Sequence, residues 1–259
     1  MTSTDLSGLT GELAVVTGGA RGLGLSVAGA LAEAGVNIAL LDLLDTVTES
    51  ARGLADRHGI SAIGVQTDVT DQADVRRAFD QVNAEFGLPT VLVTAAGITI
   101  WNDSVEVSAE EWRKVVSVNL DGTFFAAQSF ARGLIGQPRP GSAIFISSMS
   151  GSIVNVPQFQ ASYNSSKAAV SHLAKSLAVE WAPAAIRVNS VSPGYFLSDM
   201  TRQFTRQNPE LAQQWVDRIP LQRMGEPEDL HGLVRYLASS ASGYVTGHDF
   251  VIDGGYTIV

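Results

Sequence analysis

Cysteine does not occur in the 259 residues, so the chain can form no disulfide, carries no thiol nucleophile and offers no thiolate metal site. This leaves the redox compartment open. Basic charge is scarce as well: 17 Lys and Arg stand against 26 Asp and Glu, a formal net charge of -9. Nucleic acid and anionic membrane surfaces are recognised through a basic footprint, so neither is expected as a partner. No run approaches the roughly 18 apolar residues of a membrane span. The opening MTSTDLSGLTGELAVV has no basic segment ahead of its apolar residues, so an export signal is not expected and a cytoplasmic location is. The four histidines, His58, His172, His231 and His248, fall at no metal-ligand spacing, and nothing marks a required metal. Internal repeats, low-complexity tracts and Pro/Ser-rich linkers are also lacking.

What is present is apolar: 45% of residues are hydrophobic and only 17% charged, enough to bury a sizeable core. Length alone allows one large α/β domain or two small ones, and the unbroken pattern favours one, spanning residues 1–259. Leu13–Thr17 is a short apolar run that stops at Gly18-Gly19, as a strand buried on both faces would. Leu23, Val27, Leu31 and Ala34 then recur at helical spacing, closed by Gly35. Further strands are predicted at Asn37–Leu41, Ala62–Val65, Thr90–Thr94, Ala143–Ile146, Arg187–Val191 and Phe250–Ile252. Between them fall helices at Thr46–His58, Asp71–Phe86, from the capping box Ser108–Glu111 past Asn119 towards Arg132, Tyr163–Trp181 and Glu226–Ser239. Strands and helices alternating at this spacing predict a seven-stranded parallel sheet covered on both faces. Residues 194–225 show no strand pattern and read as a functional lid or a poorly ordered loop.

Three motifs carry chemistry. Thr17-Gly18-Gly19-Ala20-Arg21-Gly22-Leu23-Gly24 joins the first strand to the first helix, where glycines let backbone approach a pyrophosphate and the helix N-terminus offers free N–H groups. Its spacing differs from G-x-G-x-x-G, but the strand–turn–helix context and an acidic residue about 20 positions on, Asp42, support a dinucleotide site over a plain turn. Asp42 can accept from both adenosine ribose hydroxyls and repel a 2′-phosphate. With Leu43 rather than a basic residue next, this favours NAD over NADP. Asp68 is either a contact to the adenine edge or a turn former. Finally, Tyr163 and Lys167 lie four apart on one helical face, where an ammonium would favour the phenolate, and Ser148 or Ser147 could hydrogen-bond the substrate oxygen. The plain alternative is a surface tyrosine beside a solvated lysine.

Together with Asn119 in Ser117-Val118-Asn119-Leu120 and with Pro193-Gly194, these motifs make the whole chain resemble the short-chain dehydrogenase/reductase family. The resemblance implies a single-domain Rossmann-type doubly wound sheet. It assigns Ser148 to orienting the substrate oxygen, Tyr163 to acid/base catalysis, and Lys167 to binding the nicotinamide ribose and lowering the tyrosine pKa. Asn119 would hold the water of a proton relay, or else bond backbone as a buried helix asparagine. Cofactor contacts are implied for Gly18, Arg21, Gly22, Leu23, Gly24, Asp42, Asp68, Val69, Ala95, Ala96, Gly97, Tyr163, Lys167, Pro193, Gly194 and Ser198. Two departures stand out: Thr94-Ala95-Ala96-Gly97 replaces the family's asparagine-bearing motif, leaving support there to Thr94 or to packing, and Ser198 replaces its usual threonine.

Fifteen residues separate Ser148 from Tyr163, and the filler Met149–Asn155 resembles the family's polyol (sugar alcohol) dehydrogenases. There Ser150 and Asn155, with Ser148 and Tyr163, would bind substrate; otherwise they cap a polar loop. Trp101, Gln158, Tyr195 and Trp215 are possible pocket walls. The expected function is NAD-dependent interconversion of a secondary alcohol and a ketone on a small polyol or hydroxy ketone. The alternatives are a 3-oxoacyl-thioester reductase and a non-catalytic nucleotide-binding regulator. Relatives commonly form homotetramers through the two long helices and the C-terminal segment, although Phe124, Phe125 and Phe130 could serve the core instead.

Overall fold

The strands form at short segments that are mostly apolar, because burial on both faces favours hydrophobic residues. In a computed structural model, which describes residues 8–259, seven such segments make one parallel sheet. They are β1 (Leu13–Thr17), β2 (Asn37–Asp42), β3 (Ala62–Gln66), β4 (Val91–Thr94), β5 (Gly141–Ile146), β6 (Ile186–Pro193) and β7 (Asp249–Ile252), in the order β3-β2-β1-β4-β5-β6-β7. Met1–Ser7, part of the segment on which the lack of an export signal is read, lie outside the described residues. Among those described, no helix is long and apolar enough to cross a membrane.

Side-chain alternation divides the core into two layers. Val15, Leu41, Leu92, Ala143 and Phe145 face one, with Phe79, Phe130 and Val170 from α3 (Gln72–Phe86), α5 (Gly122–Leu134) and α6 (Ala161–Trp181). Their neighbours Ala14, Val16, Leu40, Val93 and Ile144 face the other, with Val27, Leu54 and Val234 from α1 (Gly22–Glu33), α2 (Val47–His58) and α9 (His231–Ala238). Each fully buried Leu, Val or Phe contributes about 1.5–3 kcal/mol by leaving water, so the sheet is held from both sides. Phe130 is part of this core. Helix starts follow local chemistry: Asp71 accepts from Ala73 N–H at 2.8 Å, and Ser108 and Glu111 form a reciprocal capping box at α4 (Ala109–Val116).

The structure departs from expectation in two places. The long helix opened by Ser108 is continuous through α4 and α5 but contains a π-helical turn at Ser117–Asp121, with Gly122 N–H bonding Ser117 C=O. Within residues 194–225 two helices fold, α7 (Asp199–Gln207) and α8 (Pro209–Asp217), flanked by irregular stretches that meet in a Phe196–Gly225 bridge. Phe204, Leu211 and Trp215 pack with Met149, Ile219, Met224 and Tyr256 into a third apolar cluster outside the two sheet layers.

Strand order reverses between β1 and β4, since β2 and β3 continue on one side of β1 and β5 to β7 on the other. In open α/β sheets such a reversal leaves a crevice beyond the carboxyl ends of the strands, where ligands bind. Gly18 and Ala95 border it.

Candidate active site

The turn after β1 presses against the turn after β4. A Cβ on Gly18, whose φ is +66°, would fall 2.6 Å from Ala96 N, and one on Gly24 only 2.1 Å from Gly18 O, so neither position admits a side chain. The result is a bare backbone cradle at the N-terminus of α1, the combination that receives a pyrophosphate. Asp42, at the end of β2, is fixed from two sides: Oδ2 accepts from Ala20 N–H at 2.9 Å and Oδ1 from Leu44 N–H at 3.0 Å. Leu43 beside it is 63% exposed. Arg21 is exposed at the start of α1. These features fit a dinucleotide, with Gly18, Gly22 and Gly24 beneath the phosphates and Asp42 toward the adenosine ribose.

Asp68 shapes the turn after β3: its Oδ1 accepts from Thr70 N–H at 2.9 Å and from Thr70 Oγ1 at 2.7 Å. Val69 after it is buried against Gly122. At the missing-asparagine position the support comes from elsewhere than Thr94, whose Oγ1 is buried without a partner. Thr17 takes that part, since its carbonyl accepts from Ala95 N–H at 3.1 Å and its Oγ1 from Ala96 N–H at 3.4 Å. Asn119 is buried and bonded on both sides of its amide. Oδ1 accepts from Ile98 N–H at 2.8 Å, while Nδ2 donates to Ile98 C=O and to Ser166 Oγ, both at 3.0 Å. Its amide therefore clamps the loop after Gly97 onto α6.

Alternation at the end of β5 separates the two serines. Ser147 Oγ donates to Lys167 C=O at 2.8 Å and meets Ser171 Oγ, binding strand to helix. Ser148 points the other way, where its hydroxyl hydrogen-bonds Tyr163 and also accepts from Ser150 N–H at 3.1 Å. Lys167 is buried; its Nζ donates to Ile146 C=O at 2.8 Å and stands 5.7 Å from the Tyr163 ring centroid. A Cβ on Gly97 would lie 3.4 Å from Asn119 Oδ1 and 3.5 Å from Lys167 Nζ, so the crevice, the asparagine and the lysine meet there.

Burial sets the charge balance. It lowers the Lys167 ammonium from its ordinary value to about 8. The Tyr163 hydroxyl is raised above its ordinary value by burial, with the Ser148 hydrogen bond pulling it down by less. The expected lowering by Lys167 does not set the direction in the protein alone.

Ser150 and Asn155 are brought beside Ser148 but face each other: Ser150 Oγ bonds Asn155 Oδ1 at 2.6 Å, and Asn155 Nδ2 donates to Tyr195 OH at 3.1 Å. These bonds hold the loop together. Pro193 ends β6, Gly194 is packed against Asp253, and Ser198 caps α7, accepting from Thr201 N–H at 3.3 Å. Trp101, Tyr195, Phe204 and Trp215 form one aromatic group, with Tyr195 and Trp215 stacked at 4.3 Å.

A solved short-chain type dehydrogenase/reductase from Mycobacterium marinum superimposes with a TM-score of 0.92 at 42% identity, covering 98% of this chain and 99% of that one. A family model described as enoyl-(acyl carrier protein) reductase matches residues 3–257. The chain belongs to the short-chain dehydrogenase/reductase family. Among curated relatives, the sorbose reductase of Candida albicans is 41% identical over 256 residues, covering 98% of this chain and 89% of that protein. The NADH-dependent L-xylulose reductase of Ambrosiozyma monospora is 40% identical over 259 residues, covering 95% of each. As a short-chain dehydrogenase/reductase this protein is an oxidoreductase that uses NAD(H) or NADP(H). In this dehydrogenase the sequence assigns Thr17 no role beyond opening the glycine motif and does not single out Gln160. Thr17 stands one residue before the glycine cluster; Gln160, three residues before Tyr163, donates to Ser150 Oγ at 3.4 Å and Asn164 Oδ1 at 3.0 Å.

Proposed function

We propose that this oxidoreductase interconverts a secondary hydroxyl of a polyol and the matching hydroxy ketone, with NAD(H) as cofactor. The convergence of Ser148, Tyr163 and Lys167 at the mouth of the crevice carries the reading. The sugar and sugar-alcohol activities named for its relatives support the substrate class.

In oxidation Ser148 holds the substrate oxygen, and the Tyr163 oxygen takes the hydroxyl proton; in reduction Tyr163 returns it. Lys167, charged below its pKa of about 8, steadies the phenolate and reaches toward the cofactor's ribose. Gly18, Gly22, Leu23 and Gly24 cradle the pyrophosphate, with Arg21 beside it. Ala95, Ala96, Gly97, Val69, Pro193 and Gly194 line the rest of the cofactor's path. Nicotinamide, when bound, supplies the carbon that accepts or gives hydride. Asn119 is a positioning residue, and α7 with α8 forms a lid at residues 194–225 over a single catalytic domain.

NAD is favoured by the fixed Asp42 carboxylate and the absence of a cation at Leu43, although relatives are named for either cofactor. A panel of sugar alcohols, simple secondary alcohols and 3-oxoacyl thioesters, assayed with both cofactors, tests the whole reading. Polyols with NAD(H) should give the highest kcat/KM, and Asp42→Ala should narrow the gap to NADP(H). Equal or better wild-type use of NADP(H) would overturn the cofactor choice and point to Arg21 as a phosphate partner. Turnover of thioesters alone would favour a 3-oxoacyl-thioester reductase, and no turnover at all a regulatory role.

We place the protein in the cytoplasm as a homotetramer, joined through the α4–α5 and α6 faces and the C-terminal segment. Val179 on α6 is 80% exposed, and Trp112 on α4 and the terminal Ile258 and Val259 are also exposed, so apolar surface remains on all three of those elements. Light scattering at micromolar concentration should report four chains. A monomer would remove this assembly, and cell fractionation checks the location.

A further inference from the structure

Four buried side-chain polar atoms among the described residues have no hydrogen-bond partner: Asn83 Oδ1, Thr94 Oγ1, Gln158 Oε1 and Trp215 Nε1. Asn83 lies on α3 and Thr94 ends β4, but the other two flank a single residue, Tyr195. Its ring stacks on Trp215 at 4.3 Å with 10° between planes, and its hydroxyl accepts from Gln158 Nε2 at 2.7 Å. Gln158 is 7% exposed and Trp215 only 2%. A buried polar atom left unpaired is destabilising, so two on side chains that both contact Tyr195 call for ligand groups that satisfy them. One orphan is an acceptor and the other a donor. A hydroxyl is both.

The pair is tied to the reacting groups. Asn155, which donates to the same Tyr195 oxygen, is bonded to Ser150; Ser150 N–H donates to Ser148 Oγ, and Ser148 bonds Tyr163. Tyr195 itself follows Gly194 at the end of β6. We infer that Gln158 and Trp215 form a subsite for the hydroxyls of the substrate chain beyond the reacting carbon, Gln158 Oε1 accepting and Trp215 Nε1 donating, with Tyr195 as the positioning residue between them. The inference rests on the polyol reading and deepens it. Asn155, held by Ser150, braces the tyrosine that sets this pair. An aliphatic chain entering the subsite leaves both orphans unpaired, so polyols are selected over plain alcohols.

The test compares kcat/KM for an open-chain hexitol and for 2-hexanol in wild type, Gln158→Leu and Trp215→Phe. The second variant keeps an aromatic ring on Tyr195 while removing the N–H. NADH titration by fluorescence confirms that each variant retains a folded cofactor site. The hexitol to 2-hexanol ratio should fall about tenfold in each variant, the scale of one neutral hydrogen bond. A ratio equal to wild type in both, whether or not overall rates fall, overturns the subsite while leaving the polyol reading standing. A wild type that prefers 2-hexanol overturns the polyol reading and the subsite with it.

Discussion

Tyr163→Phe is expected to reduce kcat by about 10²–10⁴-fold, the range of general acid–base catalysis, while leaving NADH affinity close to wild type. The substitution removes one oxygen and keeps the ring beside Lys167, so the crevice and its glycine cradle are untouched. Ser148 loses its partner but keeps the hydrogen bond from Ser150 N–H at 3.1 Å, which holds its side chain in place. Ser148→Ala should lower kcat as well, and Ser147→Ala less, because Ser147 is turned into α6 against Lys167 C=O. Stopped-flow or steady-state rates with circular dichroism as a folding control check the series. Near-normal kcat in Tyr163→Phe would assign the proton transfer to another group.

Lys167→Met should lower kcat, weaken NADH binding and move the alkaline-rising limb of the oxidation profile to higher pH. The sign follows from charge. Oxidation needs the deprotonated Tyr163, burial raises that group's pKa, and a neighbouring ammonium favours the phenolate. Removing the ammonium leaves burial unopposed. Stability responds in the opposite sense to a simple loss of contact. The folded-state pKa of Lys167, about 8, lies below its ordinary value of 10.5. The unfolded chain therefore binds more protons between those values, and wild-type stability rises with pH across that window. Below about pH 8 the cost of burying the ammonium is fully present. The stability of Lys167→Met relative to wild type should thus be highest near neutrality and decline as pH rises from about 8 toward 10.5. Denaturant titrations at several pH values check this; a difference that does not change with pH would contradict a charged, buried lysine.

The central strands were legible because burial on both faces writes them as uninterrupted apolar runs, and β1, β2 and β5 fall within two residues of their expected limits. α7 and α8 escaped because their apolar faces are a few widely spaced residues, Phe204, Leu211 and Trp215, whose partners come from Met149 and Tyr256 elsewhere in the chain. The π turn at Ser117–Asp121 adds one residue to a helix without changing its composition, so no spacing rule announces it. At the candidate site, residue types pointed to Ser148, Tyr163 and Lys167 as a group, but only strand geometry separates Ser148 from Ser147. Asn119 and Thr94 show the limit most clearly. Which atoms a buried amide or hydroxyl meets depends on loops distant in sequence, and those loops gave Asn119 to Ile98 and left support of Ala95–Gly97 to Thr17.

Hydride transfer from a polyol carbon, governed by Tyr163, is most directly tested by following an isotope. A hexitol carrying deuterium at its secondary carbinol carbons is incubated with wild type and NAD, and the reduced nicotinamide is analysed by mass spectrometry. The label should appear in the reduced cofactor, with formation slowed by about 10²–10⁴-fold in Tyr163→Phe. Unlabelled reduced cofactor, or equal labelling rates in wild type and Tyr163→Phe, would contradict the account.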